Sequence, residues 1–399
     1  MRHKANSVLS SASAFISGAL AVSLIGVGCQ PPDPRLPAER LPQKITSTLP
    51  TTVSLPLVVL PAGPTTDPKK VALGGQLYFD GRLSGDGTIT CATCHALETG
   101  GTDSPLLTSA GIRSQMGPIN SPTVFNSHFN IAQFWDGRAA TLEEQVNGPV
   151  ENPLEMGATW ADVIARLQAV PAYVTAFQDA YGEEITKENT AHAIAEYERT
   201  LLTPSRFDRF GAGDVAALTT EERAGLQIFM TIGCTSCHAG PLLGGQSFEK
   251  MGSVRDYFNH RIGELTNADL GRFNFTQLPA DKHKFKVPTL RNVALTAPYF
   301  HDGYAKTLED AVKLMANHQL GRTLSNADTA QIVAFLNSLT GENLPTKPAL
   351  APPRVTAAEL VVPAEVIPDD SLSPEDIEAP AADGVPAAPA TTPAPASAP

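Results

Sequence analysis

Apolar residues recur at helical spacing in six stretches of the chain, with polar residues between them. The predicted helices cover 69–79, 160–168, 172–181, 189–202, a segment from Thr219 into Cys234, and 325–339. Gly182 supplies a helix stop and Thr186 a helix start between the third and fourth stretches. Thr219 and Glu222 supply cap and first-turn residues for the fifth. The pattern therefore predicts a mainly α fold.

Both ends of the chain lack this periodicity and are punctuated by proline. Residues 29–65 are predicted to form a tether with an extended segment at 53–60, and residues 347–399 a disordered tail rich in proline and alanine. The tail holds eight acidic residues against Lys347 and Arg354, so it contributes −6 to the net charge of −12. The body is only mildly acidic and carries no basic stripe, so we expect no nucleic-acid partner.

The chain carries two copies of a C-x-x-C-H pentapeptide: Cys91, Cys94 and His95 in the first, and Cys234, Cys237 and His238 in the second. The two thiols can add to the vinyl groups of one porphyrin, and the histidine can bind its iron. The alternatives are a zinc ribbon, whose ligand pairs lie about 15–20 residues apart, and a redox dithiol, which needs no following histidine. Because both copies carry the histidine, the sequence favours two c-type haems.

The first 28 residues have the layout of an export signal. A short charged start with Arg2 and Lys4 precedes an apolar run at 14–27, which is too short for a spanning helix. The run resembles a bacterial lipoprotein signal, which implies that Cys29 is acylated and becomes the mature N-terminus. Gly26 departs from the usual leucine three residues earlier, and the alternative is an ordinary cleaved signal with Cys29 as a chance thiol. Both alternatives predict an exported chain.

Each half of the body has the same order of features: a helix, a pentapeptide, loops and a further helix. This order predicts two cytochrome c-like haem domains in tandem, at 66–213 and 214–346, with a boundary near 211–213. Sequence similarity between the halves beyond the pentapeptide is slight. The expected architecture is therefore a duplicated haem unit between two irregular tails.

Several ordered motifs between and after the pentapeptides resemble those of one known family. They are Gly117-Pro118-Ile119-Asn120-Ser121-Pro122-Thr123-Val124-Phe125-Asn126, Phe134-Trp135-Asp136-Gly137-Arg138, Asn152-Pro153-Leu154-Glu155-Met156, Val287-Pro288-Thr289-Leu290-Arg291-Asn292 and Pro298-Tyr299-Phe300-His301-Asp302-Gly303. With these motifs, residues 66–343 closely resemble the bacterial di-haem cytochrome c peroxidases. The resemblance implies reduction of hydrogen peroxide to water, with the first haem as the peroxidatic centre and the second as the port for electrons.

The resemblance also implies roles for single residues at the first haem. Glu155 matches the distal-pocket glutamate that moves a proton between the peroxide oxygens, and Gln145 matches a glutamine of the same pocket. Without its flanking motif, Glu155 would be read as a solvated surface carboxylate. Trp135 matches an indole between the haems that assists electron transfer, although a large core aromatic would fit the same position.

At the second haem, Met315 matches the family's axial methionine. A thioether opposite histidine raises the reduction potential of an iron, which suits an electron-accepting site. A methionine at helical spacing is otherwise more often core filling. The related tryptophan-tryptophylquinone-forming enzymes carry tyrosine at this position. His301 matches a histidine near the haem propionates, for which we expect a supporting role.

The family also holds one calcium ion between its halves. Asn120 matches the side-chain ligand, and Thr296 and Pro298 match backbone carbonyl donors, a hard-oxygen set that suits this cation. These assignments depend on the resemblance, since backbone ligands leave no mark in a sequence.

One position departs from the family pattern. Many members carry a histidine in the loop after the first pentapeptide that binds the oxidised peroxidatic iron until the other haem is reduced. Alignment of the loop ends puts Ile112 at that position, and isoleucine cannot bind iron. We expect the first haem to have an open or water-occupied position at rest. His128 and Met116 are the alternative ligands.

The expected donor is a small cytochrome c or a blue-copper protein (cupredoxin), and the expected location is the periplasmic side of a Gram-negative envelope. Family members commonly dimerise, so the resemblance also implies a homodimer. Two other functions stay open: a di-haem electron carrier or redox sensor without turnover, and an oxidase of an organic or protein substrate. The presence of Glu155 and Gln145 favours a peroxidase over the first, and Met315 disfavours the second.

Overall fold

The structure is a computed structural model that describes residues 59–261, 263–349 and 352. The predicted export signal, Cys29, most of the tether and nearly all of the tail lie outside the described residues. The beginning of the predicted tail is described, and Lys347 Nζ lies 5.0 Å from the centroid of the Phe79 ring. Within the described ranges, the helices are too short or too polar to cross a bilayer.

Helices dominate the described part of the chain, which holds two short strands besides. The helices are α1 (Pro68–Tyr78), α2 (Cys91–Cys94), α3 (Leu142–Glu151), α4 (Trp160–Gln168), α5 (Pro171–Tyr181), α6 (Lys187–Glu198), α7 (Arg206–Gly211), α8 (Thr220–Ile232), α9 (Phe273–Thr276), α10 (Leu308–Leu320) and α11 (Asn326–Asn337). The strands β1 (Phe248–Lys250) and β2 (Lys284–Lys286) pair antiparallel, with Phe248 opposite Lys286.

The mainly helical prediction is confirmed, and all six predicted helices are present with ends that differ by a few residues. Gly182 ends α5 in the left-handed conformation, and Thr186 begins α6 with a capping box, as the sequence indicated. Helices α2, α3, α7, α9 and α10 lie outside the six predicted stretches, and in α3 Pro149 interrupts the apolar pattern. The apolar α3 residues Leu142, Val146 and Val150 are nevertheless buried on one face.

Two hydrophobic clusters form the main cores, one from residues between 73 and 201 and one from residues between 207 and 339. Helix α1 packs on α6 in the first cluster, and α8 packs on α11 in the second. Gly74 of α1 and Gly225 of α8 make equivalent crossings. A Cβ at Gly74 would overlap the carbonyl of Ala193, and one at Gly225 would overlap the carbonyl of Gln331. Glycine at both positions therefore permits the close approach of the helix pair.

A repeat in backbone conformation relates the two halves beyond the pentapeptides. Three pairs of residues, each pair separated by the same number of positions, share positive φ angles. They are Asn126 and Asn292 (59° and 61°), Phe134 and Phe300 (65° and 73°), and Gly137 and Gly303 (72° and 62°). The same spacing relates the first residues of α3 and α10. The slight sequence similarity noted above thus conceals a longer structural repeat.

The repeat also relates two hydrogen bonds that join the halves. The backbone N–H of Asn120 donates to the carbonyl of His301 (2.8 Å), and that of Lys286 donates to the carbonyl of Trp135 (2.7 Å). Asn120 and Lys286 are counterparts in the repeat, as are Trp135 and His301. Each half therefore contacts the other through the same pair of positions.

Candidate functional site

The first pentapeptide forms the short helix α2, which Thr90 and Thr93 cap. Cys91 and Cys94 are free, half-buried thiols. The Nδ1 atom of His95 lies 3.3 Å from the carbonyl of Gly101 and 3.2 Å from Ser121 Oγ. Burial lowers the pKa of His95, which favours the neutral imidazole. With Nδ1 bonded, Nε2 is the nitrogen left to bind a metal.

Glu155 lies beside this pentapeptide, in the turn that follows α3. Asn152 Nδ2 donates to Glu155 Oε1 over 2.8 Å. Burial raises the pKa of Glu155, although Arg138 and the bond from Asn152 oppose the shift. The negative charge of Glu155 contributes to the raised pKa of Cys94, about 11, after the larger effect of burial. A carboxyl with raised proton affinity thus lies within electrostatic reach of the first site.

Gln145 lies on α3, upstream of the turn that carries Glu155, and it is half-buried. Both residues are described, and no hydrogen bond joins their side chains. Their relation in the structure is therefore one of neighbouring elements, helix and following turn.

The loop that contains Ile112 packs directly on this turn. The backbone N–H of Ile112 donates to the carbonyl of Glu155 over 2.8 Å, and the Ile112 side chain is buried. A Cβ at Gly111 would overlap the carbonyl of Leu154, so glycine permits the close approach. Of the two alternative ligands, Met116 is 56% exposed and the His128 ring lies 5.2 Å from that of Phe129. The Ile112 side chain lies against Gly157, where an added Cβ would overlap the Ile112 Cδ1 atom, while the Ile112 backbone is bonded to Glu155.

The second pentapeptide opens onto an apolar cavity of about 230 Å³. Cys234, Cys237, His238 and Met315 all line this cavity, as do aromatic and aliphatic side chains from both halves. His238 Nδ1 lies 3.1 Å from the carbonyl of Leu243, and burial lowers the pKa of its ring. The structure therefore brings the predicted axial pair, His238 and Met315, to one cavity.

Five further predicted residues line the same cavity. Asn120 and Trp135 come from the first half, and Thr296, Pro298 and His301 come from the second. The indole N–H of Trp135 donates to the carbonyl of Asn120 over 2.8 Å. The amide N–H of the Asn120 side chain donates to the carbonyl of Leu107 over 3.0 Å, which leaves its oxygen for another partner. The three predicted calcium ligands, Asn120, Thr296 and Pro298, therefore all line this cavity.

His301 is held by charged neighbours. Its Nε2 atom lies 2.8 Å from Asp269 Oδ1, and its ring stacks on Phe285 at 4.3 Å. Asp269, His301 and Asp302 have the spacing of a metal site. Arg261, however, bonds Asp269 (2.5 Å) and Asp302 (3.0 Å) and supplies the positive charge there. This cluster is an ion-pair network that fixes the ring of His301.

Four residues near the sites escaped the sequence interpretation: Tyr78, Asp103, Glu198 and Lys286. Tyr78 OH donates to the carbonyl of His95 over 2.7 Å. Both carboxylate oxygens of Asp103 are buried without a hydrogen-bond partner among the described residues, and their charge acts on His95. Glu198 and Lys286 are buried charged residues. Alignment of the two halves would have marked Lys286, because it is the counterpart of Asn120.

Both sites fit a covalently attached haem. Each offers two free thiols and a buried imidazole whose Nδ1 already has a partner. At the second site an apolar cavity and a thioether complete the arrangement. These donors are the ones that c-type haem uses.

Comparisons with known proteins agree with this reading of the donors. A family model described as di-haem cytochrome c peroxidase matches residues 68–216. Cytochrome c peroxidase Ccp of Escherichia coli (strain K12) is 51% identical over 292 residues, which are 73% of this chain and 62% of that protein. The cytochrome c551 peroxidase of Nitrosomonas europaea is 46% identical over 283 residues, which are 70% of this chain and 83% of that protein.

A solved structure agrees as well. The crystal structure of a MauG-like protein associated with microbial copper homeostasis has a TM-score of 0.63 to this chain at 29% identity. The alignment covers 72% of this chain and 94% of the other. On the strength of the sequence relatives, which are peroxidase enzymes, this chain belongs to the di-haem cytochrome c peroxidase family.

Proposed function

We propose that this chain reduces hydrogen peroxide to water with electrons that enter at the second pentapeptide and leave from the first. The observation that carries the proposal is the unequal surroundings of the two pentapeptides. Glu155, with its raised pKa, lies beside the first, whereas Met315 shares a cavity with the second. One site is equipped for proton transfer and the other for electron transfer.

At the first site, His95 would hold the haem iron, and Glu155 is the group that moves a proton. When bound, the haem supplies electrons and a coordination position for peroxide. The overall reaction consumes one peroxide, two electrons and two protons and yields two water molecules. Glu155 takes a proton from one oxygen of the peroxide and returns it to the other, because a buried carboxyl with a raised pKa can both accept and donate a proton. Gln145 lines the pocket.

At the second site, His238 and Met315 would hold the haem iron, and a thioether ligand would keep its reduction potential high. Trp135 lies on the wall of the same cavity and bonds Asn120 of its own half, so it provides an aromatic path between the sites. The donor is a small cytochrome c or a cupredoxin.

The first haem is ready for peroxide at rest. Ile112 lies beside Glu155 in place of the family's releasable histidine, and isoleucine cannot bind iron. Helix α3 supports the same conclusion, since its eighth residue is Pro149 where α10 carries Met315. Electron paramagnetic resonance of the fully oxidised protein tests this point. A high-spin first haem is expected. A wholly low-spin first haem would contradict the proposal that its sixth position is open at rest.

One calcium ion joins the halves through Asn120 and the carbonyls of Thr296 and Pro298. Asp103 supports this site. Its two carboxylate oxygens have no partner among the described residues, and the next residue, Ser104, donates to the carbonyl of Ala297 over 2.5 Å. Unpaired buried acceptors suit a hard cation. Calcium content after dialysis tests the proposal, and Asp103→Asn and Asn120→Ala should both lower it.

The chain is exported, acts on the periplasmic side of the envelope, is anchored by a lipid at Cys29 and forms a homodimer. These proposals come from the sequence and the family. Mass spectrometry of the mature N-terminus tests the lipid, and light scattering of the purified holoprotein tests the dimer.

The decisive experiment for the activity is rapid mixing of the holoprotein with peroxide and a reduced small cytochrome c. Donor oxidation that depends on both peroxide and enzyme is the expected result. A di-haem electron carrier would instead accept electrons from the donor once and then stop, whether or not peroxide is present. That outcome would overturn the proposed function.

A further inference from the structure

Lys286 is a buried cation on the wall of the second cavity. It is the last residue of β2, opposite Phe248, and is 7% exposed. The residue lines the cavity together with His238 and Met315. Its backbone N–H donates to the carbonyl of Trp135, so strand pairing on one side and Trp135 on the other fix its position.

The ammonium group of Lys286 is incompletely neutralised by the protein. Its Nζ atom donates to the carbonyl of Ala132 over 2.8 Å, and no carboxylate among the described residues forms an ion pair with it. Burial lowers its pKa to about 8, and the more distant charge of Asp136 offsets this only in part. A buried ammonium without a paired anion is costly, so buried charges are paired as a rule.

The missing anion has an obvious source in the cavity. A haem c attached at Cys234 and Cys237 carries two carboxylate groups, and the wall of the cavity offers few cations. Of the charged residues on that wall, Glu249 repels a carboxylate, His301 is already bonded to Asp269, and Lys286 is left. We propose that the Lys286 ammonium is the fixed counter-ion of a carboxylate of the second haem, and that its charge raises the potential of that haem.

The repeat supports this assignment from an independent direction. Lys286 is the counterpart of Asn120, and Ala132, whose carbonyl receives the ammonium, is the counterpart of Pro298. Asn120 and Pro298 are two of the proposed calcium ligands. The ammonium therefore lies between the halves at the place that the repeat relates to the proposed calcium site. At one of the two related places the cation is the proposed calcium ion, and at the other it is the ammonium group of the Lys286 side chain.

Redox titration of the holoprotein tests the proposal, because the visible spectra of the two haems can be followed separately. Lys286→Met removes the charge and should shift the reduction equilibrium of the second haem at least tenfold toward the oxidised form, about 59 mV for one electron. Lys286→Arg should keep most of the potential. Lys284→Met is the matched control. It removes the same charge from the same strand, but Lys284 pairs with Asp281 at 3.1 Å and should leave the potential nearly unchanged.

Equal shifts in Lys286→Met and Lys284→Met would overturn the proposal, since they would show only a change in net charge. A larger shift at the first haem than at the second would also overturn it. If Lys286→Met does not load haem, Lys286→Gln keeps an N–H donor for Ala132 and carries the same expectation. The inference rests on the proposed haem at the second pentapeptide. A haem count of one per chain would contradict that proposal, whereas an unchanged potential with two haems would contradict the role of Lys286 alone.

Discussion

Tyr78 and Phe229 occupy equivalent positions in the two halves, four residues after the glycines at which α1 crosses α6 and α8 crosses α11. The hydroxyl of Tyr78 donates to the carbonyl of His95. Phe229 has no such group, and its ring packs 6.4 Å from that of His238. The same helix crossing therefore covers one pentapeptide with a hydrogen-bonding side chain and the other with an apolar one.

The partner helices continue the contrast. Tyr197 of α6 meets Gly74, and Phe335 of α11 meets Gly225, so the residues that follow them, Glu198 and Leu336, are also counterparts. Both of these are buried, yet one is an acid and the other aliphatic. A buried carboxyl that holds its proton and a buried aliphatic side chain therefore lie at equivalent positions of the two halves. The helix crossing is repeated in the two halves, whereas the side chains that it places near the two pentapeptides differ in polarity.

Replacement of Glu155 should produce the largest functional effect. Glu155→Gln keeps the shape of the side chain but cannot move a proton, so peroxide turnover should fall roughly 10²–10⁴-fold. Reduction of the second haem by the donor should be unchanged, because that site lies in the other half. Glu151→Gln is the matched control, since Glu151 is an exposed carboxylate at the end of α3, just before the turn that carries Glu155. Equal turnover in the two variants would remove Glu155 from the mechanism.

The next largest effect concerns stability. Arg291 is fully buried and donates two hydrogen bonds to Asp208 (2.7 and 2.6 Å), whereas its counterpart in the first half is the buried Phe125. Arg291→Met leaves the Asp208 carboxylate without its cation and should cost about 3–5 kcal/mol of unfolding free energy. Phe125→Leu removes only apolar contact and should cost about 1 kcal/mol.

Urea unfolding of both variants provides the measurement, with the holoprotein as reference. If the urea midpoints of the two variants fall by the same amount, the Arg291–Asp208 ion pair contributes no more to stability than the Phe125 ring does.

The sequence predicted the helices well because their caps and apolar periodicity are local features, as Thr186 and Thr219 illustrate. It could not predict α3, since Pro149 conceals a helix whose stability comes from tertiary burial. The pentapeptides and Met315 indicated candidate haem sites because those residue types have few other uses in that spacing. Asp103, Glu198 and Lys286 went unnoticed for the opposite reason. Single charged residues are common, and only burial distinguishes them.

Glu198 provides a test by pH. Burial raises its pKa to about 8, and the charge of Arg199 lowers it only in part. The folded state therefore binds a proton that the unfolded state releases near pH 4.5. Its contribution to stability is full below that pH and is lost as pH rises toward 8, at up to about 1.4 kcal/mol per pH unit.

Glu198→Gln stays neutral at every pH, so the variant should gain stability relative to the parent between pH 5 and 8. Urea midpoints at three pH values in this range measure the difference. Leu336→Met, at the counterpart position, neither adds nor removes a titrating group. Its urea midpoints should therefore change with pH in the same way as those of the parent. Parallel curves for Glu198→Gln as well would mean that the acid is already ionised in the folded protein.

The smallest expected effect concerns the resting state of the first haem. Ile112→His places an imidazole on the loop whose backbone N–H at residue 112 donates to the Glu155 carbonyl. If the closed form is favoured about ten to one, activity of the fully oxidised enzyme should fall about tenfold, because only the open fraction binds peroxide. The first haem should become low-spin, and activity should return after the second haem is reduced. Ile112→Leu, which adds no ligand, should retain the high-spin signal. A histidine variant that behaves like the leucine variant would show that the loop does not present residue 112 to the iron, and the unequal resting states would then need another cause.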